Sequence, residues 1–571
     1  MEFKIKTYPF DTNGKNKLEE TPKGKDWPVV YLIHNDKELY VGETSNAVGR
    51  FNQHLSNPQR KKLKEIEIIF DDEFNKSAIL DIEQSLIQLF NADNKFKLQN
   101  LNGGQSQKHN YYQREKYLNK LNLIWDELSK MKLVDKSMVD IKNSDLFKYS
   151  PYNTLTAEQI SVSNAILNDI IEKINNNADG TAIIRGGAGT GKTIVLINMI
   201  YKLANIDKFE VSFSEDDENL SEDNLLFHNL KKLYQKNGSL KVGYVVPMTS
   251  IRKTLKTVFN KTKNGLKASM VISPYDTVKD EYDVLFVDEA HRLTQYKNIS
   301  NRGAFKTTAN KLGLDEWTAT QLDFIVKRSK YRVLVYDPDQ TVKGSDITNE
   351  QFYGTLVDSS VNTYFLNTQM RCSGGKEYTE YLTNIFSCTQ DEFLPIENYE
   401  FCLYDDVDLM VNDIKDLDNK YGLCRNAAGY SWKWISKGMK DYSEIIKQEK
   451  QDIIIGPYRY IWNMTNEEFI ISENSVNQIG CIHTLQGYDL NYVGVILGEE
   501  IDYNPNTKRI EVDLNKFYDT YVKQGTEPKL VREYIINSYK VIMSRGIKGC
   551  YLYACNDNMR NYLKKFVKSR D

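Results

Sequence analysis

A phosphate-binding loop constrains the fold of this chain more than any other feature. Residues 186–193 read GGAGTGKT, which fits G-x-x-x-x-G-K-[ST]; the apolar run TAIIR precedes them and IVLINMIYKLA follows. Strand, glycine-rich turn and helix in this order surround a phosphate with backbone N–H groups at a helix N-terminus. The pattern predicts a nucleotide-binding α/β sheet in which the phosphate ligands are Gly186, Gly187, Ala188, Gly189, Thr190, Gly191 and Lys192, with Thr193 on Mg²⁺.

The segment DVLFVDEAHRL (283–293) adds the carboxylates that nucleotide hydrolysis needs. Asp288 ends an apolar strand, where it can hold the metal ion, and Glu289 can polarise a water for attack on the γ-phosphate. Alone, the segment would also fit a buried strand followed by an acidic helix start. Together with the loop it predicts an ATPase that uses ATP and Mg²⁺.

Short apolar runs recur between helical stretches from residue 155 onward. They are TAIIRG at 181, VGYVVP at 242, DVLFVD at 283, YRVLVYD at 331, QDIIIGP at 451, YVGVILG at 492 and CYLYAC at 550. This spacing indicates a parallel sheet covered by helices, present twice. We expect an ATP-binding RecA-like lobe over 153–345 and a second RecA-like lobe over 346–571.

Composition favours a packed, water-soluble protein, with 40% hydrophobic and 27% charged residues. No apolar run approaches the roughly 20 residues that span a bilayer, and the N-terminus lacks the apolar region of a signal peptide. We therefore expect a cytoplasmic protein without membrane contact. All seven cysteines lie between Cys372 and Cys555 without metal-site spacing, so they are expected to be reduced packing residues.

The net charge of −3 confines nucleic-acid binding to local patches. The segment 241–270 has seven Lys and Arg and no acidic residue. A solvated helix face is the alternative interpretation of such a run. Arg252, Lys253 and Lys256 are the candidates for phosphate contacts.

The order of further motifs resembles superfamily-one helicases. LTAEQ (155–159) is similar to their adenine-reading element, VLVYDPDQ (333–340) to their sensor, LNTQMRCSGG (366–375) to the start of the second lobe, CIHTLQGYDLNYVGVILG (481–498) to the element that couples nucleic acid to ATP, and YKVIMSRGIKGCYLYA (539–554) to the last element. The resemblance implies roles for Gln159 at the base, Gln340 at the γ-phosphate, Arg371 and Arg545 from the second lobe, and His483, Thr484, Gln486 and Gly487 in coupling.

The closer resemblance is to the Schlafen-type DNA/RNA helicase domain of bacteria. It rests on RGGAGTGKT, VDEAHR, NTQMRCSGG and GYSWKW (429–434). The sensor reads DPDQ where many helicases have a Gly-Asp pair, and the 1B and 2B subdomains of larger relatives are short or absent. Translocation or ATP-gated clamping is therefore expected rather than strand separation.

The first 107 residues predict a separate small α/β domain. VVYLI (29–33) and LYVG (39–42) form a hairpin through the turn HNDKE, followed by a helix at 46–55, the strand EIEIIF (65–70) and an amphipathic helix at 77–90. Residues 108–152 are expected to form a helical linker.

This domain resembles the GIY-YIG nuclease family through VVY (29–31), YVG (40–42), Arg50, His54 and Glu83. The family fold is a three-stranded sheet with helices. Two hairpin tyrosines, Tyr31 and Tyr40, can converge on a water and the scissile phosphate, while Arg50 neutralises the phosphoryl oxygens. Glu83 is the expected Mg²⁺ or Mn²⁺ ligand, and the resemblance also implies a structural Asn, for which we favour Asn100 over Asn102.

A plain β-hairpin with core tyrosines is the alternative interpretation in a chain with 37 Tyr. The combined motifs favour an ATP-driven nuclease-helicase that acts on DNA, with RNA as the alternative. The resemblance to bacterial proteins that pair these two domains implies a role in anti-phage defence. Two other functions stay open. One is a repair or restriction nuclease on host substrates, and the other is an ATP-gated switch that licenses the nuclease without unwinding. A homo-oligomer or a partner subunit of a defence system is also left open.

Overall fold

The computed structural model describes residues 3–100, 111–187, 189–208, 222–262, 265–297, 299, 301–341, 343–357, 359–369, 372–465, 469–485, 488–524 and 526–570. They belong to two compact units. One contains the chain up to Asn175 together with Thr193–Val242 and Thr254–Val271. The other contains Asn176–Lys192, Gly243–Lys253 and the chain from Ile272 onward.

The N-terminal part of the first unit is a five-stranded sheet in the order β1-β4-β2-β3-β5. The pairs β1–β4, β2–β4 and β2–β3 are antiparallel, and β3–β5 is parallel. The elements are β1 (Phe3–Pro9), α1 (Thr12–Glu19), β2 (Val29–His34), β3 (Glu38–Thr44), α2 (Ala47–Ser56), β4 (Glu65–Asp71), α3 (Lys76–Asp93) and β5 (Lys97–Leu98).

The hairpin, the third strand and both helices predicted for this domain are confirmed, with ends shifted by a few residues. The expectation of three strands is wrong. The N-terminal segment pairs with β4 along its whole length and buries Phe3 and Tyr8, and β5 adds to β3. Alternating charges in FKIKTYP obscure this strand because only some of its side chains are buried.

Apolar side chains cover one face of this sheet. Tyr31 and Ile33 of β2, with Ile66 and Ile68 of β4, join a core that also contains Phe51 of α2. Alternation along a strand puts the residues between them on the opposite face. Tyr31 is thus a core residue on the α2 side of the sheet.

Helices follow the nuclease-like sheet in the first unit. They are α4 (Arg114–Lys130), α5 (Met138–Asn143), α6 (Asp145–Lys148) and α7 (Ala157–Asn175). Lys120 of α4 joins this layer to the sheet, since its ammonium lies 2.7 Å from Asp71 Oδ2 and 2.6 Å from Glu73 Oε2. The predicted helical linker thus contains helices, while the exact domain bounds remain predictions.

The chain from 180 to 365 forms the first parallel sheet, in the order β11-β6-β10-β9-β7-β8. Strand β10 pairs in parallel with β6 and with β9, and β11 pairs in parallel with β6. The elements are β6 (Gly180–Arg185), α8 (Lys192–Ala204), α9 (Glu222–Asn237), β7 (Val242–Val245), α10 (Thr249–Thr262), β8 (Val271–Ile272), β9 (Tyr282–Val287), α11 (Arg302–Lys311), α12 (Gln321–Lys327), β10 (Ser329–Val335), α13 (Asn349–Thr355) and β11 (Val361–Phe365).

The remaining chain builds the second parallel sheet, in the order β16-β13-β17-β20-β12-β21. Its elements and those beside it are α14 (Gly375–Phe386), β12 (Glu400–Leu403), α15 (Val407–Tyr421), β13 (Cys424–Ala428), α16 (Tyr442–Lys447), β14 (Ile453–Ile455), β15 (Tyr458–Tyr460), β16 (Ile479–Gly480), α17 (Ile482–Leu485), β17 (Leu490–Leu497), β18 (Ile501–Asn504), β19 (Arg509–Val512), α18 (Thr520–Lys523), α19 (Pro528–Met543), β20 (Gly546–Ala554), α20 (Asp557–Leu563) and β21 (Lys568–Ser569). The prediction of two parallel-sheet lobes is confirmed.

The expectation that QDIIIGP joins the parallel sheet is wrong. Strand β14 pairs antiparallel with β15 in a separate two-stranded ribbon. Gly456, at φ +54°, turns the chain back after three residues, and Ile454 is 45% exposed. An apolar triplet is too short for sequence alone to separate a ribbon from a sheet strand.

All seven cysteines are free thiols, as expected. Among the described helices, none combines the length and apolar character required to cross a bilayer.

The Lys120–Asp71 pair predicts a large stability effect. Lys120→Met should lower the free energy of unfolding of the first unit by about 3–5 kcal/mol, because Asp71 would stay buried without its cation. Urea denaturation of the full chain, followed by circular dichroism, measures this loss. The matched control is Lys116→Met, which removes an exposed ion pair with Glu73 and should change the free energy by at most about 1 kcal/mol. Equal losses in both variants would contradict the prediction.

Candidate active sites

Tyr31 lies opposite Gly42 in the β2–β3 hairpin. A Cβ atom on residue 42 would come within 2.3 Å of the Tyr31 ring, so glycine leaves the space that the ring occupies. The Tyr31 side chain is 2% exposed. The glycine of YVG therefore has a packing role that fixes the first tyrosine.

Arg50 and His54 lie one turn apart on α2, where residues four apart share a face. The Tyr31 hydroxyl lies 2.8 Å from His54 Nε2 and accepts a hydrogen bond from Arg50 Nε at 3.3 Å. Asn46 begins the helix by accepting a bond from the Gly49 N–H at 2.9 Å. The cap sets the helix so that both side chains reach the tyrosine.

The protonation of this cluster follows from its burial. Burial, and next the neighbouring Tyr40, raise the pKa of Tyr31 well above its ordinary value. Burial, then Arg50 and Arg60, lower the pKa of His54 to about 3. At neutral pH a phenol therefore meets a neutral imidazole, and since arginine only donates, the phenol O–H can donate to His54 Nε2.

Tyr40 borders the same cluster. Its ring centroid lies 6.3 Å from that of Tyr31 and 5.0 Å from that of His54. The guanidinium of Arg60 lies 3.5 Å from the Tyr40 ring centroid, a cation–π contact that adds positive charge. Sequence reasoning missed Arg60 because the basic turn NPQRKK carries no motif.

Glu83 projects from α3 and is 9% exposed. Burial, and next the carboxylate of Glu43, raise the pKa of Glu83 to about 8, while Lys76 and Arg50 oppose the rise. Lys76 also pairs with Glu43 at 2.5 Å. A buried carboxylate that is repelled by a second carboxylate fits a hard divalent cation, which supplies the missing positive charge.

Asn100 holds the second tyrosine strand in place. Its side-chain oxygen accepts from the Val41 N–H at 3.0 Å, and its nitrogen donates to the Val41 carbonyl at 2.9 Å. Val41 follows Tyr40 directly. A structural role suits this geometry; Asn102 lies outside the described residues.

The phosphate loop joins β6 to α8, as its motif predicts. Gly189 and Gly191 have φ values of +85° and +80°, which favour glycine. Lys192 Nζ donates to the carbonyls of Gly186 at 2.6 Å and Gly187 at 2.8 Å. Thr190 Oγ1 donates to the Gly187 carbonyl at 3.1 Å. Thr193 occupies the first turn of α8, and Ala188 lies outside the described residues.

The acidic pair follows strand β9. Asp288 accepts a hydrogen bond from the Tyr244 hydroxyl at 2.9 Å. Glu289 has φ +49°, and its carboxylate lies 2.9 Å from His291 Nε2. Although burial opposes it, the attraction of His291, and then of Lys192 and Arg545, holds the pKa of Glu289 well below its ordinary value. Glu289 is therefore ionised.

Asp337 completes the charge distribution around the loop. Its Oδ2 lies 3.7 Å from Lys192 Nζ and accepts from Gln340 Nε2 at 2.6 Å. Gln340 therefore contacts Asp337, which in turn lies near Lys192. Asp337 was not singled out from the sequence, although the replacement of the usual Gly-Asp pair by DPDQ in this motif could have drawn attention to it.

The other predicted residues are placed as follows. Arg545 is 2% exposed and acts on Glu289 electrostatically. His483 lies 3.7 Å from Asp519, and burial followed by Lys343 lowers the pKa of His483 to about 4. Gln159 accepts from the Thr156 N–H at 3.0 Å, which caps α7. Thr484 bonds to the backbone of Cys481. Arg371, Gln486 and Gly487 lie outside the described residues.

The family model for the Schlafen group 3 DNA/RNA helicase domain matches residues 180–556, more than half of the chain. This chain belongs to the Schlafen group 3 helicase family. The model for the GIY-YIG catalytic domain matches residues 28–99. This member of the Schlafen group 3 helicase family thus carries a nuclease domain ahead of its helicase domain, and the resemblance to this fusion is confirmed.

The Schlafen group 3 member also resembles two individual proteins. The chain is 25% identical over 453 residues to the uncharacterized protein YPL245W of Saccharomyces cerevisiae. The aligned region covers 72% of this chain and 90% of the yeast protein. The crystal structure of Pif1 helicase from Candida albicans aligns with 73% of this chain and 96% of its own, at 10% identity and a TM-score of 0.26.

The raised pKa of Glu83 predicts pH-dependent metal binding at the nuclease site. Below about pH 8 a cation must displace a proton, so its affinity should rise by up to about tenfold per pH unit and level off above that value. Calorimetry with Mn²⁺ in two buffers of different ionisation enthalpy measures both the affinity and the proton released.

The Glu83→Gln variant is the control, and the signal is the difference between it and the wild type. A difference in Mn²⁺ affinity that stays constant from about pH 6 to 8 would contradict the assignment of Glu83 as a protonated ligand.

Proposed function

We propose that this chain is an ATP-driven nuclease-helicase of superfamily one that cleaves DNA by metal-dependent phosphodiester hydrolysis. The observation that carries the nuclease half is the contact of Tyr31 with both Arg50 and His54. The motor half rests on Lys192, Asp337 and Glu289, whose charges meet at the phosphate loop. ATP is the fuel, and Mg²⁺ or Mn²⁺ serves the nuclease.

The nuclease chemistry is derived from the buried hydrogen bonds. The Tyr31 hydroxyl, held by Arg50 and His54, would orient the attacking water, whose proton passes on to bulk water. Arg50 donates toward the phosphoryl oxygens, where negative charge grows in the transition state. Tyr40, with Arg60 on its ring, borders the scissile phosphate.

Glu83 would hold the divalent cation of the nuclease. When bound, such an ion stabilises the negative charge on the leaving oxygen. The protein contributes a buried carboxylate with Glu43 close by, and both are acceptors suited to Mg²⁺ or Mn²⁺.

The ATPase would also place cations against the phosphate oxygens, but with other residues. Lys192 would leave the carbonyls of its own loop for the β- and γ-phosphates, while Thr193 and Asp288 would hold Mg²⁺. Ionised Glu289 orients the attacking water. Arg545 acts as the cation from the second lobe that stabilises the transition state.

Exposed lysines on α10 could bind the phosphates of a nucleic-acid substrate. Lys253 and Lys256 on α10 are exposed, whereas Arg252 donates to the carbonyls of Val246 and Pro247. The two lysines thus supply sequence-independent phosphate contacts. DNA is the proposed polymer and RNA is the alternative.

Reciprocal variants separate the two chemistries. Arg50→Ala should reduce cleavage of naked DNA by about 100-fold or more, through loss of the phosphate cation, and leave ATP hydrolysis unchanged. Lys192→Ala should abolish ATP hydrolysis and keep metal-dependent nicking. Gel assays of cleavage and release of phosphate from ATP measure both activities.

The matched control for these variants is Arg302→Ala. It removes an exposed arginine at the start of α11 and should change neither activity. Retained cleavage in Arg50→Ala would count against the nuclease assignment.

Arg545→Ala tests the role of the second lobe. It should lower the turnover of ATP hydrolysis by about 1,000-fold, because the transition state loses a cation, while a fluorescent ATP analogue still binds. A variant with the same turnover as wild type would remove Arg545 from the mechanism. Arg545→Lys tests charge alone and should recover only part of the rate.

Strand displacement separates a motor from an ATP-gated switch. DNA-stimulated ATP hydrolysis with displacement or one-directional movement supports the motor that we propose. Stimulation of ATP hydrolysis and of cleavage, without movement on DNA, would favour the switch. Second-lobe elements such as Arg545, whose positive charge acts on Glu289, favour the motor.

The proposed role is defence against phage in the cytoplasm, motivated by the pairing of a DNA-cutting domain with a motor. Cells that carry the wild-type protein should survive phage challenge, and cells that carry Lys192→Ala or Glu83→Ala should not. Equal protection by all three would rule out this role. Sensitivity of a deletion strain to DNA damage would instead favour repair of host DNA.

A further inference from the structure

A second cluster of metal-ligand side chains lies on the nuclease sheet. His34 ends β2, and Glu65 and Glu67 lie in the adjacent strand β4, where His34 is the register partner of Glu65. One ligand atom from each of the three residues lies within 4.8 Å of the others. The cluster thus follows from strand pairing alone.

The two inner members are buried and contact each other. His34 is 7% exposed and Glu67 is 2% exposed. His34 Nε2 and Glu67 Oε2 face each other at 2.8 Å as a buried ion pair, and within the described part of the chain neither atom has a further hydrogen-bond partner. A single contact leaves both buried atoms with capacity for a ligand.

The spacing suits a shared cation. Two ligand atoms bound to one transition metal ion at its usual bond lengths are about 3 Å apart, close to the His34–Glu67 distance. Glu65 Oε2 lies 4.0 Å from His34 Nε2, and its side chain is 57% exposed, so it has room to turn inward.

We propose that His34, Glu65 and Glu67 form a second divalent metal site, which takes Zn²⁺. One imidazole and two carboxylates suit Zn²⁺ better than Mg²⁺, which prefers oxygen ligands alone. The ion would tie the β2–β3 hairpin, which carries both catalytic tyrosines, to β4.

This site is separate from that of Glu83. The charged groups that act on Glu83 are Glu43, Lys76 and Arg50, which lie outside the cluster. The charged groups that act on His34 are Glu67 and Glu65. The rival occupant is a proton, which would make His34 and Glu67 a simple buried ion pair.

Zn²⁺ binding to the full chain without nucleotide distinguishes the two occupants. In the Glu83→Gln background, calorimetry should find one Zn²⁺ equivalent, and adding His34→Gln should weaken its binding by at least about 100-fold. His228→Gln on α9 is the matched control and should leave binding unchanged. X-ray absorption should show one imidazole, oxygen ligands and no sulfur.

If the His34→Gln variant does not fold, the Glu65→Gln variant provides a second test. Because Glu65 is largely exposed, this variant should fold as the wild type by circular dichroism and bind Zn²⁺ about tenfold more weakly. Loss of all Zn²⁺ binding in Glu83→Gln alone, or sulfur ligands on the ion, would overturn the proposal and leave the proton as occupant. The readout is metal binding, so the result does not depend on the nuclease activity.

Discussion

Three neighbouring parallel strands bring together the residues of the proposed ATP site. β6, β10 and β9 lie side by side, and each ends at the same edge of the sheet. The phosphate loop follows β6, Asp337 follows β10 and Asp288 follows β9. The order of the strands thus places Lys192 and the two carboxylates at one edge of the sheet. Lys192 rests on its own loop carbonyls and beside Asp337, so a phosphate has only to replace existing partners.

The nuclease domain meets the same demand, positive charge at phosphorus, with a different construction. Its hairpin is antiparallel, and Tyr31, the tyrosine proposed to orient the water, is buried in the core of the sheet. Rigidity comes from packing: Gly42 fits under the Tyr31 ring, and Asn100 bonds both backbone groups of Val41. Both proposed sites place positive charge near a phosphate, but one is built on an antiparallel hairpin and the other on a parallel sheet.

Motifs whose spacing encodes local geometry were predictable from sequence. The phosphate loop, the Asp288–Glu289 pair and the tyrosine hairpin have fixed distances along the chain. Residues brought in by tertiary packing were not: Arg60 reaches Tyr40 from a turn without a motif. Strand β1 was missed because its pairing with β4, rather than its own pattern, makes it a strand. The prediction that β14 joins the parallel sheet was wrong because a strand of three residues is too short to indicate its sheet.

The most direct test measures ATP hydrolysis and strand cleavage side by side on the full chain, with single- and double-stranded DNA and RNA and with Mg²⁺ or Mn²⁺. At least one DNA substrate should both stimulate ATP hydrolysis and be cut, and a chelator should stop both reactions. ATP hydrolysis without cleavage of any of the four polymers, with either metal ion, would contradict the proposal that one chain both hydrolyses ATP and cleaves phosphodiester bonds.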